Sequence, residues 1–375
     1  MKILFTCGGT AGHINPAVAL ARLFQQRHPG TEVLFVGADG GMEETLVPRE
    51  GYDIKTVTIS SFYRSLSGAS LKHNLKTLRN LGVSKRQAKA ILDEFQPDLV
   101  VGTGGYASYP VVREAARRGI PTAVHESNAV PGLTTKTLSK VVDKVMVGFE
   151  ESRQHYQHPE KVAVTGTPVR GDFFALSRQE ARAKLGITDD KPVVLTSWGS
   201  LGAQVMNEQM VDFVEAECKD GEPFHHIYGV GKRYYQRVQE GIAQRGIDLS
   251  QHPCLDVREY IYDMAVVMAA ADVTISRAGA STISEITALA KPSILVPSPN
   301  VTNHHQEKNA RMLESHGGAV VLLEENSSGQ LLYDTTRQLL ADQNKLEAMA
   351  NGLREMQTGD ANELIYETLL SLIQK

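Results

Sequence analysis

Three times in this 375-residue chain an apolar run ends in glycine and other small residues, then passes straight into a helical pattern. Ile3-Leu4-Phe5 leads to Gly8-Gly9-Thr10-Ala11-Gly12-His13, and Leu99-Val100-Val101 leads to Gly102-Thr103-Gly104-Gly105-Tyr106-Ala107-Ser108. Val193-Val194-Leu195-Thr196 leads to Gly199-Ser200-Leu201-Gly202-Ala203. A strand that turns tightly into a helix leaves the helix's first N–H groups without intrahelical partners, ready to face an anion. A need for conformational freedom alone explains any one such turn. Three in equivalent positions favour the phosphate-facing turns of parallel α/β units. His13 adds to the first turn a group that titrates near neutrality and can move a proton beside that anion.

The rest of the pattern agrees with two doubly wound halves. Strands are expected at Ile3 to Thr6, Glu32 to Val36, Leu99 to Val101, Thr122 to His125 and Lys144 to Val147, with helices at Pro16 to Gln26, Glu43 to Glu50, Lys85 to Phe95 and Val111 to Arg118. Gly166-Thr167-Pro168 marks a hinge, after which the strand, small-residue turn and helix recur, with further strands at His226 to Tyr228, Val273 to Ile275, Ser293 to Val296 and Ala319 to Leu322. The expectation is an α/β protein of two Rossmann-like domains, 1–166 and 167–352, facing across a cleft. Residues 353–375, ending in a helix from Ala361, are expected to pack back on the first domain.

Composition narrows the function classes. Three scattered cysteines, Cys7, Cys218 and Cys254, fit neither a disulfide framework nor a zinc site. The apolar run before the first glycines is too short for a signal peptide, and Ala265 to Ala271 is too short to span a bilayer, so the chain reads as cytosolic. A net charge of −4 argues against a general nucleic-acid surface. From Arg64 to Leu92, however, Arg64, Lys72, Lys76, Arg79, Lys85, Arg86 and Lys89 occur with no acidic residue, around Leu71, Leu75, Leu78 and Leu81 at helical spacing. Such a helix either lies on an anionic membrane surface or turns its stripe to the core and its basic face to solvent.

The second half supplies nucleotide chemistry. Asp272 to Ser276 reads as a strand, Arg277-Ala278-Gly279 as a turn, and Ala280-Ser281-Thr282-Ile283-Ser284-Glu285 as a helix opening whose N–H groups can receive a phosphate. Glu285, read as lying on the first turn, either accepts the two hydroxyls of a ribose or forms a capping box with Thr282. The adjacent His304 and His305 invite a metal reading, but helical neighbours point apart and no third ligand is evident. No D-x-D triplet occurs in the chain.

Six motifs occur in order: Gly8 to His13; His125-Glu126-Ser127-Asn128 with Pro131-Gly132-Leu133-Thr134; Gly166-Thr167-Pro168-Val169-Arg170; Gly199 to Ala203; Arg277 to Glu285; and His305-Gln306 with Asn309-Ala310. On these the chain resembles, over essentially its full length, the MurG family of peripheral-membrane N-acetylglucosaminyltransferases that make lipid II. The resemblance implies the glycosyltransferase B fold, no cofactor, and inverting transfer of GlcNAc from UDP-GlcNAc to the 4-hydroxyl of MurNAc in lipid I at the cytoplasmic face of the membrane.

The resemblance also assigns residues. Glu285 would hold the ribose, Ile261 would meet uracil through its backbone, and Ser200, Ala280, Ser281 and Thr282, with Ile283 and Ser284 beside them, would face the diphosphate. Arg170 would add positive charge near the donor, and Asn128 and Gln306 would contact the GlcNAc. Thr10, Ala11 and Gly12 would approach the donor sugar, while Gly9, Gly104, Gly105 and Tyr106 would serve the acceptor diphosphate. His13 is the candidate general base, with a positioning role as its alternative, and Glu126 is the reserve. Membership would also favour membrane docking by residues 64–89. Ala11, Thr167, Trp198 and Leu201 depart from the family's usual residues, and Leu201 cannot hydrogen-bond a ligand. A UDP-GlcNAc 2-epimerase shares the architecture. A nicotinamide-dependent dehydrogenase would also use a glycine turn after its first strand, but the turn here is not G-x-G-x-x-G and only Asp39 is placed to hold a ribose. A non-enzymatic membrane scaffold would need the basic helix but not Glu285.

Overall fold

Continuous apolar runs become strands buried on both faces, as parallel sheets flanked by helices require. A computed structural model describes residues 1–59, 68–199, 202–357 and 359–374, without the side chains of 11, 68–79, 81 and 302. In the first sheet are β1 (Lys2–Thr6), β2 (Glu32–Ala38), β3 (Asp53–Val57), β4 (Leu99–Gly102), β5 (Thr122–Glu126), β6 (Lys144–Val147) and β7 (Val162–Val164). Their order is β3-β2-β1-β4-β5-β6-β7, every pair parallel. In the second are β8 (Val193–Ser197), β9 (His225–Gly229), β10 (Leu255–Arg258), β11 (Val273–Ser276), β12 (Ser293–Leu295) and β13 (Ala319–Val321), in the order β10-β9-β8-β11-β12-β13, again all parallel.

Both sheets reverse strand order beside their first strand, between β1 and β4 and between β8 and β11. At such a reversal the connections leave in opposite directions and open a crevice at the carboxyl ends of the strands. The turns after β1 and β4 therefore lie side by side, as do those after β8 and β11. β3 and β10, which the sequence reading did not include, occupy the same edge position in their respective sheets.

The chain divides into two compact units, Met1–Arg170 with Thr358–Lys375, and Gly171–Gln357. In the first, the C-terminal helix Ala361–Ile373 starts at Asp360, whose side chain accepts from the Asn362 and Glu363 N–H groups. It buries Ile365, Tyr366, Leu369 and Leu372 in one cluster with Ile3, Phe5, Leu20 and Phe24, each side chain contributing on the order of 1.5–3 kcal/mol. Tyr366 Oη lies 2.6 Å from His28 Nε2, which fixes the helix against the first helix of the chain.

Two helices begin earlier than expected. The first spans Ala11–Arg27, with Thr10 as its extended N-cap, so His13 sits in the first helical turn rather than at the end of a loop. Pro16 lies inside this helix, not at its start. It has no N–H to give to the Gly12 carbonyl, so the helix gives up one ladder bond on its second turn. The helix expected from Lys85 is continuous with the basic segment before it, as one helix from Gly68 to Phe95. In its C-terminal part Ser84, Ala88, Ile91 and Leu92 are buried while Lys85, Arg86 and Lys89 are exposed, an apolar stripe on the core with a solvated basic face. Arg64 and the side chains of Leu71, Lys72, Leu75, Lys76, Leu78, Arg79 and Leu81 lie outside the described residues. No helix among the described residues is long and apolar enough to cross a membrane.

Candidate active site

In the first unit the turns after β1 and β4 are pressed together through glycine. Gly105 has φ +82°, and a Cβ there would lie 2.2 Å from the Gly8 carbonyl oxygen. Gly104, at φ +111°, lies against the imidazole of His13, where a Cβ would fall 2.5 Å from Cδ2. Thr103 Oγ1 donates to the His13 carbonyl at 2.6 Å, tying the second turn to the start of the first helix. His13 Nδ1 is 2.7 Å from the Gly8 carbonyl oxygen. A carbonyl only accepts, so Nδ1 carries the proton and Nε2 is the basic nitrogen of the neutral ring. Gly9 and Thr10 are exposed, Gly12, His13, Gly105 and Tyr106 half-buried, and Gly104 buried. These expected site residues form one surface.

Beneath it lies a group that the sequence reading placed only as a helix start. Glu43 is fully buried and accepts the Ala38 N–H at 2.8 Å through Oε1 and the Gly9 N–H at 3.2 Å through Oε2. The Gly9 N–H therefore faces inward. Three glycines make room for this carboxylate: a Cβ on Gly8, Gly37 or Gly41 would approach its atoms to 2.7, 2.3 and 2.4 Å. Burial, and after it the Glu43 charge, push the Cys7 thiol and the Tyr106 phenol upward, so both stay protonated at neutral pH.

At the end of β5, His125 is buried and its Nε2 donates to the Gly166 carbonyl at 2.9 Å. Burial lowers its pKa, consistent with a neutral structural histidine. Glu126, 4% exposed, accepts from Asn128 N and Nδ2 at 3.2 and 2.8 Å through Oε1, and from Gly132 N at 3.0 Å through Oε2. Both oxygens are thus engaged in shaping the 128–132 loop and orienting Asn128. Arg170, half-buried, ends the first stretch of this unit.

In the second unit the turn after β11 opens the helix Ala280–Ala288 with Gly279 as N-cap at φ −66°, ψ 150°, and no side chain caps it. The N–H groups of Ala280, Ser281 and Thr282 precede the first ladder bond, Ile283 N to Gly279 O at 2.9 Å. Ile283 and Ser284 turn their side chains inward, and the Ser284 hydroxyl donates back to the Ala280 carbonyl. Glu285 is the sixth residue of the helix, half-buried on its second turn, which corrects the first-turn placement and removes the capping box with Thr282.

Arg277 holds neighbouring loops together. It donates to the Val296 carbonyl at 3.0 Å, pairs with Glu324, and lies 5.8 Å from the centroid of Trp198. Asn309 Nδ2 donates to the Ala278 carbonyl at 3.1 Å, and Gln306 Oε1 accepts from Ser298 N at 2.9 Å. Gln306 is set up by an unusual entry: Asn303 and His304 both adopt left-handed backbone, and the helix begins only at His305. His304 therefore stands outside that helix, and no group of three or more metal-ligating side chains occurs among the described residues. Ile261, 5% exposed, packs on Gly229 at the end of β9 between exposed Tyr260 and Tyr262. Ser200 lies outside the described residues. Its neighbour Gly202 has φ +70°, with the Val230 carbonyl 2.3 Å from any Cβ.

Two Rossmann-like units, each with paired small-residue turns where strand order reverses, are the architecture of glycosyltransferases of the B class. Residues 3–147 match the glycosyltransferase family 28 N-terminal domain and residues 193–365 its C-terminal domain, and the chain belongs to this family of hexosyltransferases. A protein of Acetivibrio thermocellus, named UDP-N-acetylglucosamine--N-acetylmuramyl-(pentapeptide) pyrophosphoryl-undecaprenol N-acetylglucosamine transferase, is 42% identical over 374 residues, covering 100% of this chain and 99% of the relative. A Bacillus cereus protein of the same name, numbered 1, is 38% identical over 376 residues, covering 100% of both. The crystal structure of Acinetobacter baumannii MurG aligns with a TM-score of 0.75 at 25% identity, over 99% of each chain. A UDP-GlcNAc 2-epimerase from Neisseria meningitidis, at TM-score 0.66 and 18% identity over 99% of this chain and 100% of its own, shares the fold.

Proposed function

We propose that the protein transfers N-acetylglucosamine from UDP-GlcNAc to the 4-hydroxyl of MurNAc in undecaprenyl-diphospho-MurNAc-pentapeptide, lipid I, forming lipid II for peptidoglycan. The observation that carries this reading is full-length similarity to transferases whose names state both sugars and the polyprenyl carrier. The 2-epimerase reading rests on fold alone.

The second unit takes the nucleotide. Its uncapped helix start offers the N–H groups of Ala280, Ser281 and Thr282 to the diphosphate, a role that the family resemblance gives also to Ser200. Glu285 accepts the ribose hydroxyls, the Ile261 backbone meets uracil, and Gln306, its carbonyl held by Ser298, offers its amide NH₂ to the sugar. Ile283 and Ser284 support this helix from inside. From the first unit Thr10, Ala11, Gly12 and Asn128 address the GlcNAc, Arg170 adds charge on the donor side, and Gly104, Gly105 and Tyr106 take the acceptor diphosphate, whereas Gly9, expected there too, has its N–H turned inward to Glu43.

In the reaction the acceptor oxygen forms a bond to the anomeric carbon as the bond to the UDP oxygen breaks. The hydroxyl proton passes to His13 Nε2, free to accept because Nδ1–H is committed to Gly8. The electron pair leaves with UDP, whose growing charge the helix N–H groups and Arg170 stabilise. Glu126, with both oxygens occupied by the 128–132 loop, positions Asn128. The enzyme works on the cytoplasmic face of the membrane as a peripheral protein, docked on anionic lipid through residues 64–89, without nucleic-acid partners.

Glu285→Ala tests the donor site. Loss of hydrogen bonds to a carboxylate, about 1.5–3 kcal/mol in sum or roughly 10- to 150-fold, is expected in the Kd for UDP-GlcNAc by titration calorimetry, with the thermal unfolding midpoint unchanged. Unaltered affinity would remove Glu285 from the site.

A further inference from the structure

The geometry points to Glu43 as a positioning residue for the proton transfer, acting on His13 through the Gly8–Gly9 peptide. The inference rests on the reading of His13 as general base. One peptide group is held from both ends: its N–H, on Gly9, donates to Glu43 Oε2 at 3.2 Å, and its carbonyl, on Gly8, accepts from His13 Nδ1 at 2.7 Å. In a trans peptide these two groups point in opposite directions. The carboxylate and the imidazole therefore stand at opposite ends of one polarisable amide.

A carboxylate with no exposure is costly to bury. Here its recorded hydrogen bonds come from the Gly9 and Ala38 N–H groups, and Gly8, Gly37 and Gly41 leave it the space. The titratable groups facing it are the Cys7 thiol and the Tyr106 phenol, both driven toward the neutral form. Its charge is shared between the Ala38 N–H at 2.8 Å and the Gly9 N–H at 3.2 Å, and the second share acts along the Gly8–Gly9 peptide. When His13 Nε2 takes the acceptor proton, positive charge spreads to Nδ1–H. The Gly8 carbonyl answers it more strongly because the Gly9 N–H is already polarised by the carboxylate. The arrangement is a base oriented by a third group, with a peptide bond interposed. No proton crosses the peptide.

A double-mutant cycle on the full-length enzyme, assayed with UDP-GlcNAc and a soluble lipid I analogue, tests this. His13→Ala is expected to lower kcat by about 10²- to 10⁴-fold. Glu43→Gln, which turns an NH₂ toward one of the two N–H groups, is expected to lower kcat by about 10-fold or more, with KM for UDP-GlcNAc changed by less than about two-fold. In the His13→Ala background, Glu43→Gln is expected to cost nothing further. An equal loss in both backgrounds, or a loss confined to KM, overturns the relay while leaving His13 as base. Full activity in His13→Ala overturns the base reading and the relay with it. If Glu43→Gln does not fold, nitrogen-15 spectra of the unsubstituted protein decide. A neutral His13 ring protonated at Nδ1, with a Gly9 amide proton that shifts as the ring titrates, supports the relay. Protonation at Nε2, or a Gly9 proton indifferent to the ring, overturns it.

Discussion

At the scale of single residues, the placement of the His13 ring depends on what is missing beside it. Gly104 holds φ +111°, and a methyl group there would overlap the ring at 2.5 Å from Cδ2 and 2.9 Å from Nε2. Gly104→Ala is therefore expected to displace the ring and, with His13 in its proposed role as base, to lower kcat by about 10²-fold or more, as misplacing a reacting group does, while the Kd for UDP by calorimetry stays unchanged. A variant with normal kcat would show that the ring's position does not matter. His13 and Glu285 could be singled out in the sequence as candidates because each stands in a strand, small-residue turn and helix motif, and their roles there are proposals. Glu43 was not. Its partners are backbone N–H groups five and thirty-four positions away, and backbone groups leave no mark on the sequence. The trace is the glycines at 8, 37 and 41, which read equally well as turns.

At the scale of elements, the interior strands were legible because burial on both faces demands unbroken apolar runs, as in Ile3-Leu4-Phe5 and Val193-Val194-Leu195. β3, Asp53-Ile-Lys-Thr-Val, and β10, Leu255-Asp-Val-Arg, were missed for the converse reason. Each pairs on one side only, stays largely half-exposed, and carries charges that disguise its pattern. The helix Ser108–Arg117, which follows the Gly104 turn, shows how electrostatics fixes an element in place. Glu114, 4% exposed, accepts from Arg117 at 2.7 and 2.9 Å and from Arg118 at 3.0 Å, and Arg118 reaches Asp93 on the long helix Gly68–Phe95. Hydrogen bonds from Arg117, opposed by burial and reinforced by Arg118, hold the Glu114 carboxyl down at about 2. A folded-state pKa below the unfolded value gives stability that is present above about pH 4.5 and is lost as pH falls toward 2. Glu114→Gln is expected to flatten the fall in urea midpoint between pH 5 and pH 3. A slope equal to that of the unsubstituted protein would assign the acid sensitivity elsewhere.

At the scale of the whole molecule, one topology is used twice, with His13 bonded to the Gly8 carbonyl at the strand-order reversal of the first unit and an uncapped helix with a carboxylate on its second turn at that of the second. The repetition was visible in the recurring turns. Helix starts were less so, because Gly12 and Pro16 mask the true beginning at Ala11. A polyprenyl-linked acceptor also requires the enzyme to meet a bilayer. Each Lys or Arg near an anionic surface adds about 1 kcal/mol. Charge reversal of Lys72, Lys76 and Arg79 is expected to abolish sedimentation with anionic vesicles while leaving UDP-GlcNAc binding intact, whereas sedimentation that survives would free this segment of the role. The most direct measurement follows the sugar itself, in an incubation of the protein with UDP-GlcNAc radiolabelled in the GlcNAc, with and without a lipid I analogue. The expected result is label in the lipid-linked product and equimolar UDP only when the analogue is present. Conversion of UDP-GlcNAc to its 2-epimer without acceptor, or no label transferred with it, would contradict the assignment.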